Sequence, residues 1–327
     1  MKGEGIIGAA DTVTKAYIRK NEVFADAFNY FMYDGRQKIQ PEQLRELDST
    51  EIAILLNEKD TKDKTNKEKE ASEQKMVLKT ATIMEDGEAT YVLLGIENQT
   101  EVHYAMPVRN MLYDAMQYNQ QVTEIAEKHK GKKGGKRQQK ISTGEFLSGF
   151  YKNNKLIPVI TLVLFFNPGE WDGPRSLFDM LDISNPIFKK YAQDYKIHII
   201  SPKEILESDL KKFSSSLREV IGCIKYSNDK NKLAAFIQDN PRMNIEVEAA
   251  RVLEVITHTH IKREEVDDMG NVNMCKAIQE MIQDGRDEGR VQLLVTLIQS
   301  GDISLQRAAA LMNMTPEEFQ EKSKMIS

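Results

Sequence analysis

Cysteine is almost missing from this chain of 327 residues: Cys223 and Cys275 are the only two. Two are too few for a disulfide framework, and neither belongs to a Cys/His cluster with zinc spacing, so both read as reduced thiols. Long apolar runs are missing as well. Nowhere do about 18 consecutive apolar residues occur, which argues against a membrane span, and the opening Met1-Lys2-Gly3-Glu4-Gly5 leads into no signal-like stretch. These absences predict a cytoplasmic protein with no membrane partner. Nor is there an excess of positive charge. A formal net charge of −5 argues against a surface that coats nucleic acid everywhere. What is present is 40% apolar residues, enough for a sizeable core in two domains, or in one large domain with appendages.

The apolar pattern is mixed α/β in the first 205 residues. Val23, Phe24, Ala27, Phe28 and Phe31 fall at helical spacing, and Asp34-Gly35 supplies a stop, so Asn21 to Tyr33 is predicted as the first core helix. Glu51 to Leu56 reads as a short strand, and the charge-rich 57–75 as a solvated excursion. Met76 to Met84 and Thr90 to Gln99 are strand-like runs on either side of Asp86-Gly87, the preferred centre of a two-residue hairpin turn. A helix from Pro107 to about Lys128 follows, with proline in the first turn where its missing donor does no harm. Ile157 to Phe166 and Tyr195 to Ile200 read as buried central strands. Beyond them the pattern is helical over 204–226, 230–237, 246–257 and 271–283.

Positive charge is concentrated in one place. The run from His129 to Lys140 holds six Lys/Arg, three glycines and no acid, which predicts a cationic loop able to contact phosphates without reading sequence. Lys132, Lys133, Lys136 and Arg137 are its expected contacts; incidental solvated charge is the blander reading.

The strand from Thr90 ends in Glu97-Asn98-Gln99. A carboxylate and an amide two residues apart on a strand point to one side and can converge on one ion or one phosphate. With Asp86 and Gly87 as the turn, Glu85 faces Glu88, Thr82 faces Tyr91, Leu78 faces Gly95 and Met76 faces Glu97. A magnesium-dependent nuclease would want a second carboxylate opposite Glu97, because Mg²⁺ takes hard oxygen ligands. Met76 offers a soft thioether instead.

The block Leu94-Gly95-Ile96-Glu97-Asn98-Gln99, continuing through Met106-Pro107-Val108-Arg109-Asn110-Met111-Leu112-Tyr113-Asp114, resembles the recombination-promoting nuclease and transposase family of the PD-(D/E)xK nuclease superfamily. Phe24 to Asn29, Leu44 to Asp48, Glu170 to Leu177 and the Asp284-Gly285-Arg286 repeat carry the likeness along most of the chain. The resemblance implies an α/β fold with an α-β-β-β-α-β core and a mixed central sheet, Mg²⁺ or Mn²⁺ as cofactor, and hydrolysis of DNA phosphodiesters. It also implies roles. Glu97 and Gln99 match the family's E-x-Q, with Glu97 ligating the metal and Gln99 orienting water or phosphate. Asp26 matches the acid of the first helix, supporting or sharing the ion, with Glu22 one turn earlier as its substitute. Arg109 and Tyr113, four apart on one helix face, would reach phosphate oxygens. The family's strand aspartate corresponds to Met76, and Glu73 and Gln74 are displaced substitutes for it. Three functions stay open: a metal-dependent DNA endonuclease, a member of the same fold that binds DNA or a protein without cutting, and a helical interaction scaffold with an incidental α/β domain, which would explain the long C-terminal helices.

Three segments are expected: a nuclease-like domain over 1–205, a helical extension over 206–290 and a small helix-turn-helix-like tail over 291–327. In the tail Val291 to Ser300 is amphipathic, Gly301 ends it, Leu305 to Met312 forms a second helix, and Thr315-Pro316-Glu317-Glu318 is a capping box opening a third. The last helix carries Glu317, Glu318 and Glu321 against Lys322 and Lys324, a poor surface for a DNA groove. Protein contact, including a homo-oligomer through the C-terminal helices, or service as a tethered accessory module is favoured over base reading. Trp171 is expected to pack rather than stack on bases.

Overall fold

The computed structural model describes residues 4–47, 76–85, 88–130, 141–238, 240–257, 267 and 269–326. They form two compact units, one of Met1–Phe236 with Glu246–Thr259, the other of Ile237–Ile245 with His260–Ser327. The expected strand at 51–56, the excursion at 57–75, the hairpin turn itself and most of the cationic run lie outside the described residues. Among the described residues no helix is long and apolar enough to cross a membrane.

The first unit is built on a five-stranded mixed sheet in sequential order. Its strands are β1 (Arg45–Glu46), β2 (Met76–Glu85), β3 (Glu88–Gln99), β4 (Val159–Phe165) and β5 (His198–Ile200). β1, β2 and β3 pair antiparallel, whereas β3, β4 and β5 run parallel. The hairpin register agrees with the sequence at each expected pair: Met76 with Glu97, Leu78 with Gly95, Thr82 with Tyr91 and Glu85 with Glu88. A period of two then fixes the faces. Val77, Leu94, Ile96, Leu162 and Leu164 are buried on one side, and Met76, Leu78, Val163 and Phe165 on the other.

Helix α1 (Glu4–Ile18) precedes the helix predicted as first, which is α2 (Asn21–Tyr33). Its signal is a short one: Ala10, Thr14, Tyr17 and Ile18 recur at helical spacing and all are buried. α1 lies against the sheet, with the Asn98 amide donating to Thr14 Oγ1 at 2.5 Å and Thr100 Oγ1 donating to Asp11 at 3.2 Å. Asp34 at φ 55° and Gly35 at φ 83° end α2 in left-handed conformations, as the sequence predicts. Any side chain at Gly35 would meet the Cβ and carbonyl of Lys212 at 2.7 Å.

Helix α3 (Met106–Lys130) covers the other face and connects, through the short α4 (Thr143–Ser148), to β4. The long connection from β4 to β5 includes α5 (Pro186–Tyr191) and is anchored by Trp171, which packs with Met106, Val163, Phe165 and Ile197. Trp171 meets Phe165 edge to face, with centroids 5.2 Å apart.

The helix expected over 204–226 is broken. A 3-10 turn at Glu207–Lys212 is followed by α6 (Leu217–Tyr226), and the serines between them turn to Asp26. α7 (Lys230–Ile237) follows, and α8 (Val247–Thr257) packs on α1 and α6. The stretch expected as a separate helical extension is therefore divided between the two units. Tyr17 and Ser216 share a hydrogen bond of 2.7 Å across this packing, and Lys20 reaches Glu248 at 3.1 Å.

The second unit contains the small pair β6 (Asn244–Glu246) and β7 (Asn271–Asn273), followed by α9 (Met274–Gln299), α10 (Leu305–Leu311) and α11 (Pro316–Ile326). Two expected helices are one here. Gly285 and Gly289 each cost roughly 1 kcal/mol in a helix interior, too little to stop a helix whose last turns are held by packing. Val291, Leu294, Ala308, Ala309 and Phe319 form that core. The predicted capping box is present: Thr315 N donates to Glu318 at 2.8 Å and Glu318 N to Thr315 Oγ1 at 3.2 Å.

Candidate functional site

Parallel pairing in register places Gly95, Glu97 and Gln99 beside Thr161, Val163 and Phe165, all beneath α3. Glu97 is fully buried there. Gln99, two residues on, is close enough to donate through Nε2 to Glu97 Oε1 at 2.9 Å. α3 enters from above with Arg109 in its first turns, and Arg109 Nη2 stands 3.0 Å from the same Oε1. Arg109 Nε donates to the Tyr113 hydroxyl at 2.8 Å, one helical turn later. The sequence thus brings four expected residues together. It does not aim them outward, because Arg109, Tyr113 and Gln99 close on Glu97 and on one another.

Burial shapes their protonation. The Tyr113 hydroxyl is pushed up to about 12 by burial and by the Glu97 charge, with Arg109 pulling the other way. It is a neutral phenol at physiological pH and no general base. Burial works against the Arg109 guanidinium, but Glu97 and Tyr113 more than compensate and hold it charged. A guanidinium against a carboxylate of zero exposure is therefore a fixed ion pair, with the remaining edge of Arg109 partly open, its side chain 20% exposed.

Lys15, on the unanticipated α1, also feels this site. Burial and Arg19 lower its ammonium to about 8, while Glu46 and Glu97 pull it back upward. A lysine within an apolar helical pattern is weak as a sequence signal, and only the packing of α1 on the end of β3 reveals it.

Asp26 is not joined to this cluster by any hydrogen bond among the described residues. Its buried carboxylate accepts instead from Ser214 N at 2.9 Å and Ser214 Oγ at 3.0 Å, and from Ser215 N at 2.9 Å and Ser215 Oγ at 2.6 Å. Those bonds satisfy the backbone just before α6, which makes Asp26 a structural carboxylate rather than a partner of Glu97. Its substitute Glu22 lies on the same helix. Lys132, Lys133, Lys136 and Arg137 lie outside the described residues, as do Glu73 and Gln74.

Met76 is 7% exposed and packs with Leu78 and Tyr113, with Leu47 and Met116 against them. A Cβ at Gly95 would sit 3.4 Å from Met76 Sδ, so the thioether lies along the floor of the site beside Glu97. No family model matches the chain, and no curated protein or solved structure matches it either. The functional reading therefore rests on the residues themselves.

Their fit to Mg²⁺ is poor. The ion needs several hard oxygens in near-octahedral order, whereas the site offers one carboxylate, engaged by a guanidinium, and a thioether where a second carboxylate would stand. Among the described residues no group of three or more His, Cys, Asp or Glu side chains gathers to hold a metal.

A second polar cluster lies one turn further along α3. Thr161 Oγ1 and the Tyr195 hydroxyl each donate to Asp114 at 2.6 Å, tying α3 to β4 and to the approach to β5. Burial raises the Asp114 carboxyl, and both hydrogen bonds oppose that rise.

Proposed function

We propose that this chain is a PD-(D/E)xK-type domain that binds DNA without cutting it. The observation that carries the reading is the apolar packing of Met76 directly opposite Glu97, in the position where hydrolysis would call for a second carboxylate. A thioether packed on Leu78 and Tyr113 neither holds a hard cation nor activates water. The α/β arrangement, with Glu-x-Gln on the strand beneath α3, supports descent from the nuclease fold.

DNA is the partner the cationic run fits. That run begins where α3 ends, about 21 residues beyond Arg109, or roughly 31 Å along the helix at 1.5 Å per residue. Phosphate binding there is separable from the Glu97 cluster. His129 stacks on Tyr151 with centroids 3.6 Å apart and shares a 2.8 Å hydrogen bond with the Gly149 carbonyl, so the start of the run is held to the body of the domain.

Retention of duplex DNA as a function of salt tests this. Binding should weaken linearly in log–log form, and changing Lys132, Lys133, Lys136 and Arg137 to glutamine should flatten the slope by up to about 0.9 for each phosphate that is no longer neutralised. Indifference to DNA at low salt would overturn the reading, and so would retention unchanged by the four substitutions. An interaction scaffold would then be favoured.

A further inference from the structure

The turn that follows the cationic run in the chain presents two large apolar side chains to water. Phe146 and Leu147, adjacent on α4, are 72% and 78% exposed. Scattered exposed apolar residues are ordinary, but these two share a rigid support. Ser142 and Glu145 close a reciprocal capping box at the start of α4, and Gly149 ends it at φ 67°, so near α3 that a Cβ there would lie 2.6 Å from that of Ala126. The setting is cationic. From 128 to 155 the sequence holds nine Lys/Arg and a single acid, Glu145. That acid is engaged by the turn itself: one carboxylate oxygen accepts from Ser142 N and Ser142 Oγ, both at 2.8 Å, and the other from Lys152 N at 3.0 Å. Lys128, Lys130, Lys152 and Lys155, on either side of it in the chain, are exposed.

We propose that Phe146 and Leu147 form an apolar wedge that enters between base pairs of duplex DNA while the neighbouring lysines hold phosphates, so that the domain selects DNA whose stacking is already weakened. This deepens the DNA-binding reading and rests on it. Charge chooses the partner. Protein interfaces deplete lysine, whereas a polyanion requires it, and here the lysines flank the apolar pair. The pair also chooses the form of DNA. Single strands are bound by tracks of aromatic rings on which successive bases stack, but α4 offers one exposed ring with an aliphatic neighbour, and Tyr151 is already stacked on His129. One aromatic and one aliphatic side chain on a fixed turn suit insertion at a single base step, which unstacks that step and kinks the duplex. The cost of unstacking is least where pairing is already faulty, and this makes a mismatch the preferred point of entry.

The test uses the full chain and two duplexes of one sequence, one perfectly paired and one with a single mismatch, each carrying 2-aminopurine beside that position. The wild-type protein should bind the mismatched duplex about tenfold more tightly and raise its 2-aminopurine fluorescence as the neighbouring base unstacks. Phe146→Ser/Leu147→Ser should keep the wild-type Tm and the wild-type salt slope, yet bind both duplexes about equally and leave the fluorescence unchanged. A wild-type protein that retains both duplexes equally, or a double variant that keeps the preference, would overturn the proposal. So would a lower Tm in the variant, which would show that the pair packs within the domain. Retention of neither duplex at low salt would overturn the DNA-binding reading and the wedge together, whereas equal retention removes the wedge alone.

Discussion

Replacing Asp26 by alanine should destabilise the first unit by about 3–5 kcal/mol, the usual cost of removing one member of a buried, fully hydrogen-bonded charged set. The carboxylate takes bonds from both the backbone and hydroxyl groups of Ser214 and Ser215, and its loss leaves those amides unsatisfied beneath α6. For a unit of this size the drop corresponds to a Tm lower by about 10 °C. Asp26→Asn, which keeps one oxygen acceptor, should recover part of it. An Asp26→Ala protein as stable as wild type would show that the carboxylate is held there for another purpose, and would make it a candidate ligand again.

Glu97→Ala should also lower stability, by about 3 kcal/mol. Breaking a buried pair strands the other charge. The guanidinium would remain over a site with no carboxylate, and Gln99 would lose its acceptor. The direction of this effect is diagnostic. In an active metal cleft, carboxylates crowd together against their mutual repulsion, and removing one commonly stabilises the protein at the expense of function. Here the carboxylate is already neutralised by Arg109. Denaturant unfolding of Glu97→Ala, beside Glu97→Gln, reads the sign directly, and a more stable Glu97→Ala would contradict the ion-pair description.

The part of the fold legible in the sequence is the part set by period and turn chemistry. Alternating apolar positions and Asp86-Gly87 suffice for the pairing of Met76 with Glu97, because a slip of one residue would turn every buried side chain of β2 to the wrong face. Pro107, Asp34-Gly35 and the Thr315 capping box mark helix ends by local rules that packing does not override. The break before α6 is not legible, since it depends on Asp26, 188 residues away from Ser214. α1 escapes a sequence reading because its apolar stripe is short and interrupted by Thr14 and Lys15, and the burial of Thr14 makes sense only once Asn98 is placed beside it. At the site, sequence brings Glu97, Gln99, Arg109 and Tyr113 to one locality but not to one another. That Arg109 points inward to the carboxylate, rather than outward to phosphate, is a matter of rotamer and burial, which spacing on a helix does not specify.

Supercoiled plasmid incubated with the wild-type protein in Mg²⁺ or Mn²⁺ puts the non-cleaving reading at greatest risk. The packing of Met76 and the Glu97–Arg109 pair predict plasmid that stays supercoiled at every metal concentration, even where it is retained by the protein. Metal-dependent nicking that disappears in a folded Glu97→Gln variant would contradict it, and would mean that Glu97 serves a working metal cleft after all.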